Sequence, residues 1–284
     1  MKVTCVVDDA VQRSSPFWGE HGLVFLIEVD DEGQGRRLLF DTGQSGTVLL
    51  HNLGILDIKI ETLEAVAISH AHYDHTGGLP ALLERLEPET PLYANADLFR
   101  ERFADRGGRL ESIGLRLGRE VLAQGLDLRL AAGPQEILPG VWTTGEIAPR
   151  PEAEGRSDAH LMRQGEDLVP DAYRDDMALV LDTGERLALI CGCCHAGLLN
   201  TLAYVGRTFA KPISVIAGGL HLTGVGDEDL HKIGRVLAAM PALERVYPNH
   251  CTGEAAVFAL TQVLGPEVVQ PCPAGTRLEL PVDD

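Results

Sequence analysis

The sequence predicts an α/β protein in which two mixed β-sheets pack together, flanked by helices, as a four-layer α/β/β/α sandwich. Three observations support this prediction. Short β-rich runs alternate with turns early in the chain, strand–helix crossovers follow them, and the same succession returns in the second half. Hairpins join antiparallel strands and helical crossovers join parallel ones, so we expect both kinds of pairing.

The predicted elements of the first half begin with three strands and a short helix. A buried strand, a helix and a further strand–helix unit follow. In order they are strands Lys2–Val7, Leu23–Val29 and Arg37–Phe40, helix Thr47–Leu53, strand Ala65–Ile68, a helix from Leu79 to Leu86, strand Pro91–Ala94 and helix Ala96–Ala104.

The second half repeats this rhythm with two strands, a hairpin and alternating helices and strands. The predicted elements are strands Leu126–Leu130, Val141–Thr144, Met177–Leu181 and Leu187–Cys191, helix Leu198–Val205, strand Ile213–Ala217, helix Asp229–Ala239, strand Arg245–Tyr247 and helix Gly253–Leu264. The stretch Gly145–Asp176 is too long for an ordinary loop, and we expect it to be a lid or a disordered insert. The whole chain, residues 1–284, is expected to form a single domain.

Composition restricts the partners. Of 284 residues, 45% are hydrophobic and 23% charged, which is typical of a globular protein. The formal net charge of −18 argues against nucleic acid as a partner. The uncharged stretch Leu187–Gly206 contains glycines, a histidine and an asparagine, which favours a buried strand and helix over a membrane span. We therefore expect a small-molecule partner; a homo-oligomer is compatible with the sequence.

The N-terminus and the cysteines indicate the compartment. The first residues form a predicted strand that runs into two aspartates, without the apolar core of a signal peptide. The six cysteines lack the spacing of a secreted disulfide framework. We therefore expect mostly reduced thiols in a cytoplasmic protein.

Three histidines fall within the six residues His70-Ala71-His72-Tyr73-Asp74-His75, directly after a predicted buried strand. At strand-like spacing His70, His72 and Asp74 would project to one side, and His75 would add a donor from the turn. Imidazole and carboxylate donors suit zinc, and also iron or manganese. Four donors so close together fit two ions sharing the cluster better than one tetrahedral ion.

Three more histidines follow predicted strands farther along the chain. They are His195, in the segment Gly192-Cys193-Cys194-His195-Ala196-Gly197, then His221 and His250. Because each stands at the carboxyl end of its strand, we expect all three to converge on one edge of the sandwich and to complete the site.

These motifs resemble the metallo-β-lactamase fold superfamily across nearly the whole chain. His70 through His75 match its H-x-H-x-D-H signature, and Asp41-Thr42-Gly43 match its upstream strand-end aspartate. The segments Glu20-His21-Gly22-Leu23, Gly192–Gly197 and His250-Cys251-Thr252-Gly253 resemble the branch of the dihydropterin-(ribofuranosyl)aminobenzene phosphate synthases and related bacterial proteins.

The resemblance implies a ligand set for two divalent metal ions, with zinc expected and iron, manganese or magnesium as alternatives. It assigns His70 and His72 to one ion, and Asp74, His75 and His250 to the other. The third ligand of the first ion is expected to be His195, with Cys193 as the alternative. Asp41 is expected to orient a ligating histidine.

The expected roles of the remaining residues are less specific. His221 is expected to act as an outer ligand, an acid or a substrate contact, and Glu20 and His21 are expected to contact substrate. Cys191, Cys194 and Cys251 are interpreted as core residues.

The chemistry expected of such a site is hydrolysis. Two cations would lower the pKa of a shared water and supply hydroxide at neutral pH, with Asp74 ligating one of them and accepting the proton. An ester, lactone or phosphoester of a small molecule, which could be anionic, is the expected substrate class.

Two alternatives share these ligands. The resemblance also implies a transferase of the dihydropterin–aryl-ribosyl phosphate synthase type, or an iron-dependent redox enzyme. Flavodiiron sites prefer Glu at the position of His72, which counts against the paired-iron form of the redox alternative.

Overall fold

A computed structural model describes residues 1–282 of the chain. Within that range the strands are β1 (Lys2–Val7), β2 (Val24–Asp31), β3 (Gln34–Phe40), β4 (Ala65–Ala67), β5 (Thr90–Ala94), β6 (Arg102–Asp105), β7 (Leu110–Ser112), β8 (Leu126–Leu130), β9 (Gln135–Leu138), β10 (Val141–Thr143), β11 (His160–Gln164), β12 (Asp167–Pro170), β13 (Ala178–Asp182), β14 (Leu187–Cys191), β15 (Ile213–Gly219), β16 (Arg245–Asn249) and β17 (Arg277–Glu279). The helices are α1 (Gly46–Ile55), α2 (Tyr73–Thr76), α3 (Leu79–Leu83), α4 (Arg119–Leu122), α5 (Leu198–Phe209), α6 (Asp227–Ala238) and α7 (Glu254–Leu264).

Two large sheets contain most of the strands. The first has the order β17-β1-β2-β3-β4-β5-β8, antiparallel from β17 to β3 and parallel from β3 to β8. The second has the order β16-β15-β14-β13-β10-β9, in which β14, β15 and β16 are parallel and the remaining pairs antiparallel. Both sheets are mixed, as the alternation of hairpins and crossovers predicts.

Three hydrophobic cores define the layers. The core between the large sheets joins Phe25 and Leu38 of the first sheet to Leu179 and Ile190 of the second. A second core covers the outer face of the first sheet with α1, α3 and α4. A third packs α5, α6 and α7 on the outer face of the second sheet. The predicted four-layer α/β/β/α sandwich is therefore confirmed.

A third, four-stranded sheet was not predicted. Its order is β12-β11-β6-β7, and it pairs a hairpin within Gly145–Asp176 with β6. The predicted helix Ala96–Ala104 is wrong: a 3₁₀ turn over Ala96–Phe99 precedes β6. Pairing with β11 overrides helical spacing there, because β6 places Arg102 in a buried ion-paired position.

Among residues 1–282, no helix combines the length and the apolar character that crossing a membrane requires. The carboxyl ends of β1, β3, β4, β14, β15 and β16 are each followed by polar or thiol side chains that gather at one edge of the sandwich. This edge carries the candidate site.

Candidate metal centre

The histidine-rich run is a turn followed by one turn of helix, and not an extended strand. β4 ends at Ala67, and Asp74 and His75 lie in α2. The expected strand-like alternation is therefore wrong. Close packing fixes the turn: a Cβ on Gly78 would lie 2.1 Å from the carbonyl oxygen of Thr42, and the backbone N–H of Thr42 donates to the carbonyl of His75. Glycine is required at position 78 for this approach.

The first group of donors consists of His70, His72 and His195, whose nearest ring nitrogens lie within 4.8 Å of one another. All three side chains are buried. His195 Nδ1 lies 2.7 Å from the carbonyl oxygen of Gly155, so Nδ1 donates and Nε2 keeps its lone pair. Within residues 1–282, the buried Nε2 atoms of His72 and His195 have no hydrogen-bond partner. Two unpaired, buried imidazole nitrogens beside His70 fit a divalent metal ion.

The second group is formed by Asp74, His75 and His250, which also lie within 4.8 Å of one another. Asp74 Oδ2 is 3.5 Å from His75 Nε2 and 3.3 Å from His250 Nε2. His21, expected as a substrate contact, places its Nε2 3.4 Å from the same oxygen. One carboxylate oxygen thus faces three imidazole nitrogens, a donor set that also suits a divalent cation. The rings of His70 and His75 are 4.2 Å apart, so the two groups are adjacent.

Burial and charge place His70, His195 and Asp74 in the protonation states that ligation requires. Desolvation, with repulsion from neighbouring imidazoles, lowers the pKa of His70 and His195 well below the usual value, so both are neutral at pH 7. Burial alone would raise the pKa of Asp74, but His75 and His250 hold it well below its usual range. The carboxylate is therefore ionised. At His250 burial alone would lower the pKa, but the carboxylates of Asp74 and Asp9 outweigh burial and raise it well above its usual value, so a metal ion bound there would displace a proton.

Asp41, which was expected to orient a ligating histidine, forms a hydrogen bond with His75. Its Oδ2 accepts from His75 Nδ1 at 2.7 Å and from Ser69 Oγ at 2.7 Å, while Oδ1 accepts from Ser69 N. Ser69 Oγ is also 2.9 Å from His70 Nδ1. Because Asp41 fixes the Nδ1 side of His75, the Nε2 side of that ring points to the donors of the second group.

Asp9 orients histidines at the second group as Asp41 orients His75, and it was not predicted from the sequence. Its two oxygens accept from His21 Nδ1 at 2.8 Å and from His250 Nδ1 at 2.9 Å. One carboxylate therefore sets the orientation of both rings. Its place two residues after the end of β1, comparable to that of Asp41 directly after β3, is the sequence signal that could have identified it.

Two adjacent aspartates hold the loops that carry the first group, and these also were not predicted. Asp175 accepts from Ala71 N, and Asp176 accepts from Ala196 N at 2.8 Å. Both carboxylates are buried. Each fixes the backbone next to a histidine without contacting its ring.

The remaining predicted residues lie at different places around the site. Cys193 Sγ is 3.2 Å from His75 Nε2. The His221 ring is 4.2 Å from that of His195, at the edge of the first group. Glu20, expected to contact substrate, accepts from the backbone N and the hydroxyl of Ser45 at the start of α1.

The segment Gly145–Asp176 contributes directly to the site. It provides the Gly155 carbonyl that holds His195 and the ring of Tyr173, which stacks on His195 at 4.2 Å. His160 of the same segment lies 2.8 Å from the Tyr173 hydroxyl through Nδ1. The segment thus forms one wall of the first donor group.

Comparison with known proteins agrees with this geometry. A family model of the metallo-β-lactamase superfamily matches residues 18–155. An uncharacterised protein of Methanocaldococcus jannaschii, MJ0448, is 30% identical over 261 residues, which cover 92% of this chain and 94% of MJ0448. The chain belongs to the metallo-β-lactamase superfamily, and the predicted resemblance is confirmed.

Two further relatives carry a described activity. The 7,8-dihydropterin-6-methyl-4-(β-D-ribofuranosyl)-aminobenzene-5'-phosphate synthase of the same archaeon is 28% identical over 262 residues, 89% of this chain and 88% of the synthase. The crystal structure of Tm1679, a metal-dependent hydrolase of the β-lactamase superfamily, is 29% identical and has a TM-score of 0.81, with 98% of each chain covered. Relatives over nearly the full length thus include both a synthase and a hydrolase.

Proposed function

We propose that the protein is a hydrolase that binds two divalent metal ions and cleaves an ester, lactone or phosphoester of a small molecule. The observation that carries this proposal is the pair of adjacent three-donor groups, joined where the rings of His70 and His75 approach to 4.2 Å. His70, His72 and His195 would hold one ion, and Asp74, His75 and His250 the other. Zinc suits these donors best.

When bound, the two ions would lower the pKa of a water molecule and polarise the substrate oxygen on which negative charge develops. Protein groups next to the proposed ligands orient those ligands for this chemistry. Asp41 and the Gly155 carbonyl keep His75 and His195 in one tautomer each, which fixes the nitrogen offered to the metal. Asp74 remains ionised because His75 and His250 face it, so it can receive a proton from the attacking water.

The open side of the site lies beside His21. The side chains of His21 and Asp9 are 54% and 40% exposed, whereas those of His75 and Asp74 are 0% and 8% exposed. A substrate would therefore approach across His21 and reach donors that are otherwise shielded from water. The cations would supply a local positive field, which would let an acidic protein of net charge −18 bind an anionic small molecule.

The test is turnover by the metal-replete protein with a panel of esters, lactones and phosphodiesters at neutral pH. We expect hydrolysis of at least one class, abolished by metal removal and restored by zinc. A panel in which no compound is cleaved, with two metal ions bound per chain, would refute the hydrolase proposal and leave the metal centre intact.

A second candidate function is a synthase that joins a dihydropterin to an aryl-ribosyl phosphate. It is favoured by the 28% identity, over 89% of this chain, to the archaeal synthase, since both reactions could use the same metal ligands. Mass spectrometry of the protein incubated with both reactants would detect the joined product. Formation of that product together with an inactive hydrolysis panel would select this function.

A further inference from the structure

Three neighbouring parallel strands are each followed by a sulfur or imidazole donor, and these three donors lie together beside the proposed dinuclear centre. Cys193 follows β14, His221 follows β15 and Cys251 follows β16, and these strands are neighbours in the second sheet. One donor atom of each residue lies within 4.8 Å of the donor atoms of the other two. Cys251, interpreted from sequence as a core residue, is only partly buried.

Two glycines leave the room that these side chains occupy. A Cβ on Gly219 would lie 2.8 Å from Cys251 Sγ, and a Cβ on Gly155 would lie 2.9 to 3.1 Å from atoms of the His221 side chain. Any larger residue at either position would displace the thiol or the ring. The arrangement of the three donors therefore depends on glycine at both positions.

The imidazole of this group has a free nitrogen. His221 Nδ1 is buried and, within the part of the chain that the structure describes, has no hydrogen-bond partner. Cys251 Sγ donates a hydrogen bond to the carbonyl oxygen of Cys193 at 3.6 Å. A buried polar atom without a partner is costly, and a bound ligand would remove that cost.

We propose that Cys193, His221 and Cys251 form a third cation site, specific for Zn²⁺ or a cation of similar softness. Two sulfurs and one imidazole nitrogen select such ions, whereas Mg²⁺, Ca²⁺ and Mn²⁺ prefer oxygen donors. Each thiol would release one proton on binding, and two thiolates would balance the charge of the divalent ion. Three protein ligands leave a fourth tetrahedral position open for a water or a substrate atom.

The proposed site would share an edge with the dinuclear centre. Cys193 Sγ is 3.2 Å from His75 Nε2, and the ring of His221 is 4.2 Å from that of His195. An ion held here would lie beside the other two, with its charge balanced by the two thiolates. The site goes beyond the proposed hydrolase function, because His221 and Cys251 belong to neither histidine group, while Cys193 lies between this site and His70 and His75.

The experiment titrates the reduced, metal-free full chain with Co²⁺, which reports sulfur ligation through thiolate-to-cobalt absorption in the near ultraviolet. We expect three Co²⁺ per wild-type chain. Cys251→Ala and His221→Ala should each bind one ion fewer and lose much of the thiolate absorption. The matched control is Cys194→Ser, which should behave as wild type because Cys194 Sγ contacts Thr201 Oγ1 at 3.5 Å, a contact that a serine hydroxyl can keep.

A crystal structure of the cobalt-loaded wild type keeps the proposal testable if a variant does not fold. An anomalous peak bounded by the three donors would support it. Co²⁺ binding to the wild-type chain without thiolate absorption, or unchanged stoichiometry and absorption in both variants, would overturn it. His72→Ala should lose an ion from the first histidine group and retain the thiolate absorption, so failure of this site is distinguishable from failure of the dinuclear centre.

Discussion

Asp175 Oδ2 accepts a 2.8 Å hydrogen bond from the backbone N–H of Ala71, the residue between His70 and His72. The other carboxylate oxygen, Oδ1, accepts from Arg102 Nη2 at 2.6 Å. An arginine on the small third sheet thus supports the backbone from which two histidines of the candidate centre project. This hydrogen-bonded link connects the third sheet, which lies outside the two large sheets, to the candidate site.

Arg102→Met should therefore destabilise the protein strongly. The guanidinium is buried and also donates to Asp171 Oδ2 at 2.9 Å, so its loss leaves two buried carboxylates without their cation. Breaking a buried pair in this way costs about 3–5 kcal/mol. Denaturant unfolding of the metal-free protein measures the change.

The matched control for this prediction is Arg163→Met. Arg163 lies on β11 of the same sheet, and its side chain is 39% exposed where it pairs with Glu101. An exposed pair contributes at most about 1 kcal/mol. Equal losses of stability in the two variants would contradict the role assigned to Arg102.

The layers of the fold and the convergence of the histidines could be predicted from sequence. Strand-end positions of His70, His195 and His250 led to the expectation of one shared edge, because parallel strands end together. The structure brings these residues together there. Local patterning was sufficient in these cases because burial periodicity and strand direction agree with the tertiary arrangement.

Contacts between residues far apart in the chain could not be predicted in this way. Arg102 and Asp175 are separated by 73 positions, and their ion pair turns a predicted helix into β6. Asp9 meets His250 across 241 positions. No local period records such pairs, and only the position of Asp9 after a strand gave a sequence signal.

His72→Ala should remove a metal ion and activity while leaving the fold largely intact. His72 Nε2 has no partner among residues 1–282, so the apo fold loses no hydrogen bond from that atom. Loss of one cation forfeits several kcal/mol of charge stabilisation, and the rate should fall at least about 10²-fold. Metal analysis, circular dichroism and steady-state kinetics test this. His231→Ala, on the exposed face of α6, is the control and should retain metal and rate.

Asp9→Asn should weaken metal binding at the second group. The asparagine side chain is neutral and has a single acceptor oxygen, so it can accept from only one of the two histidines. His21 and His250 therefore lose the negative charge that orients them. Loss of such a partner lowers metal affinity about 10–100-fold. Competition with a chelator of known affinity measures it. Asp57→Asn, at an exposed turn with a φ of 55° that asparagine tolerates, is the control; an equal effect there would rule out a specific role for Asp9.

Asp176→Asn should reduce the dependence of stability on pH. Burial raises the pKa of Asp176 to about 7, while an unfolded aspartate has a pKa near 3.8. The native state therefore binds this proton more tightly, and the stability that it contributes is present below pH 4 and lost as the pH rises to about 7. The loss can reach about 4 kcal/mol, since each pKa unit corresponds to 1.36 kcal/mol.

The asparagine variant stays neutral over this range and can keep the hydrogen bond from Ala196 N through its carbonyl oxygen. Relative to wild type, it should gain free energy of unfolding between pH 5 and pH 8 in metal-free protein. Denaturant unfolding at both pH values provides the comparison. If the difference between variant and wild type is the same at pH 5 and pH 8, Asp176 does not titrate in this range, and the buried carboxylate beside the His195 loop is ionised throughout.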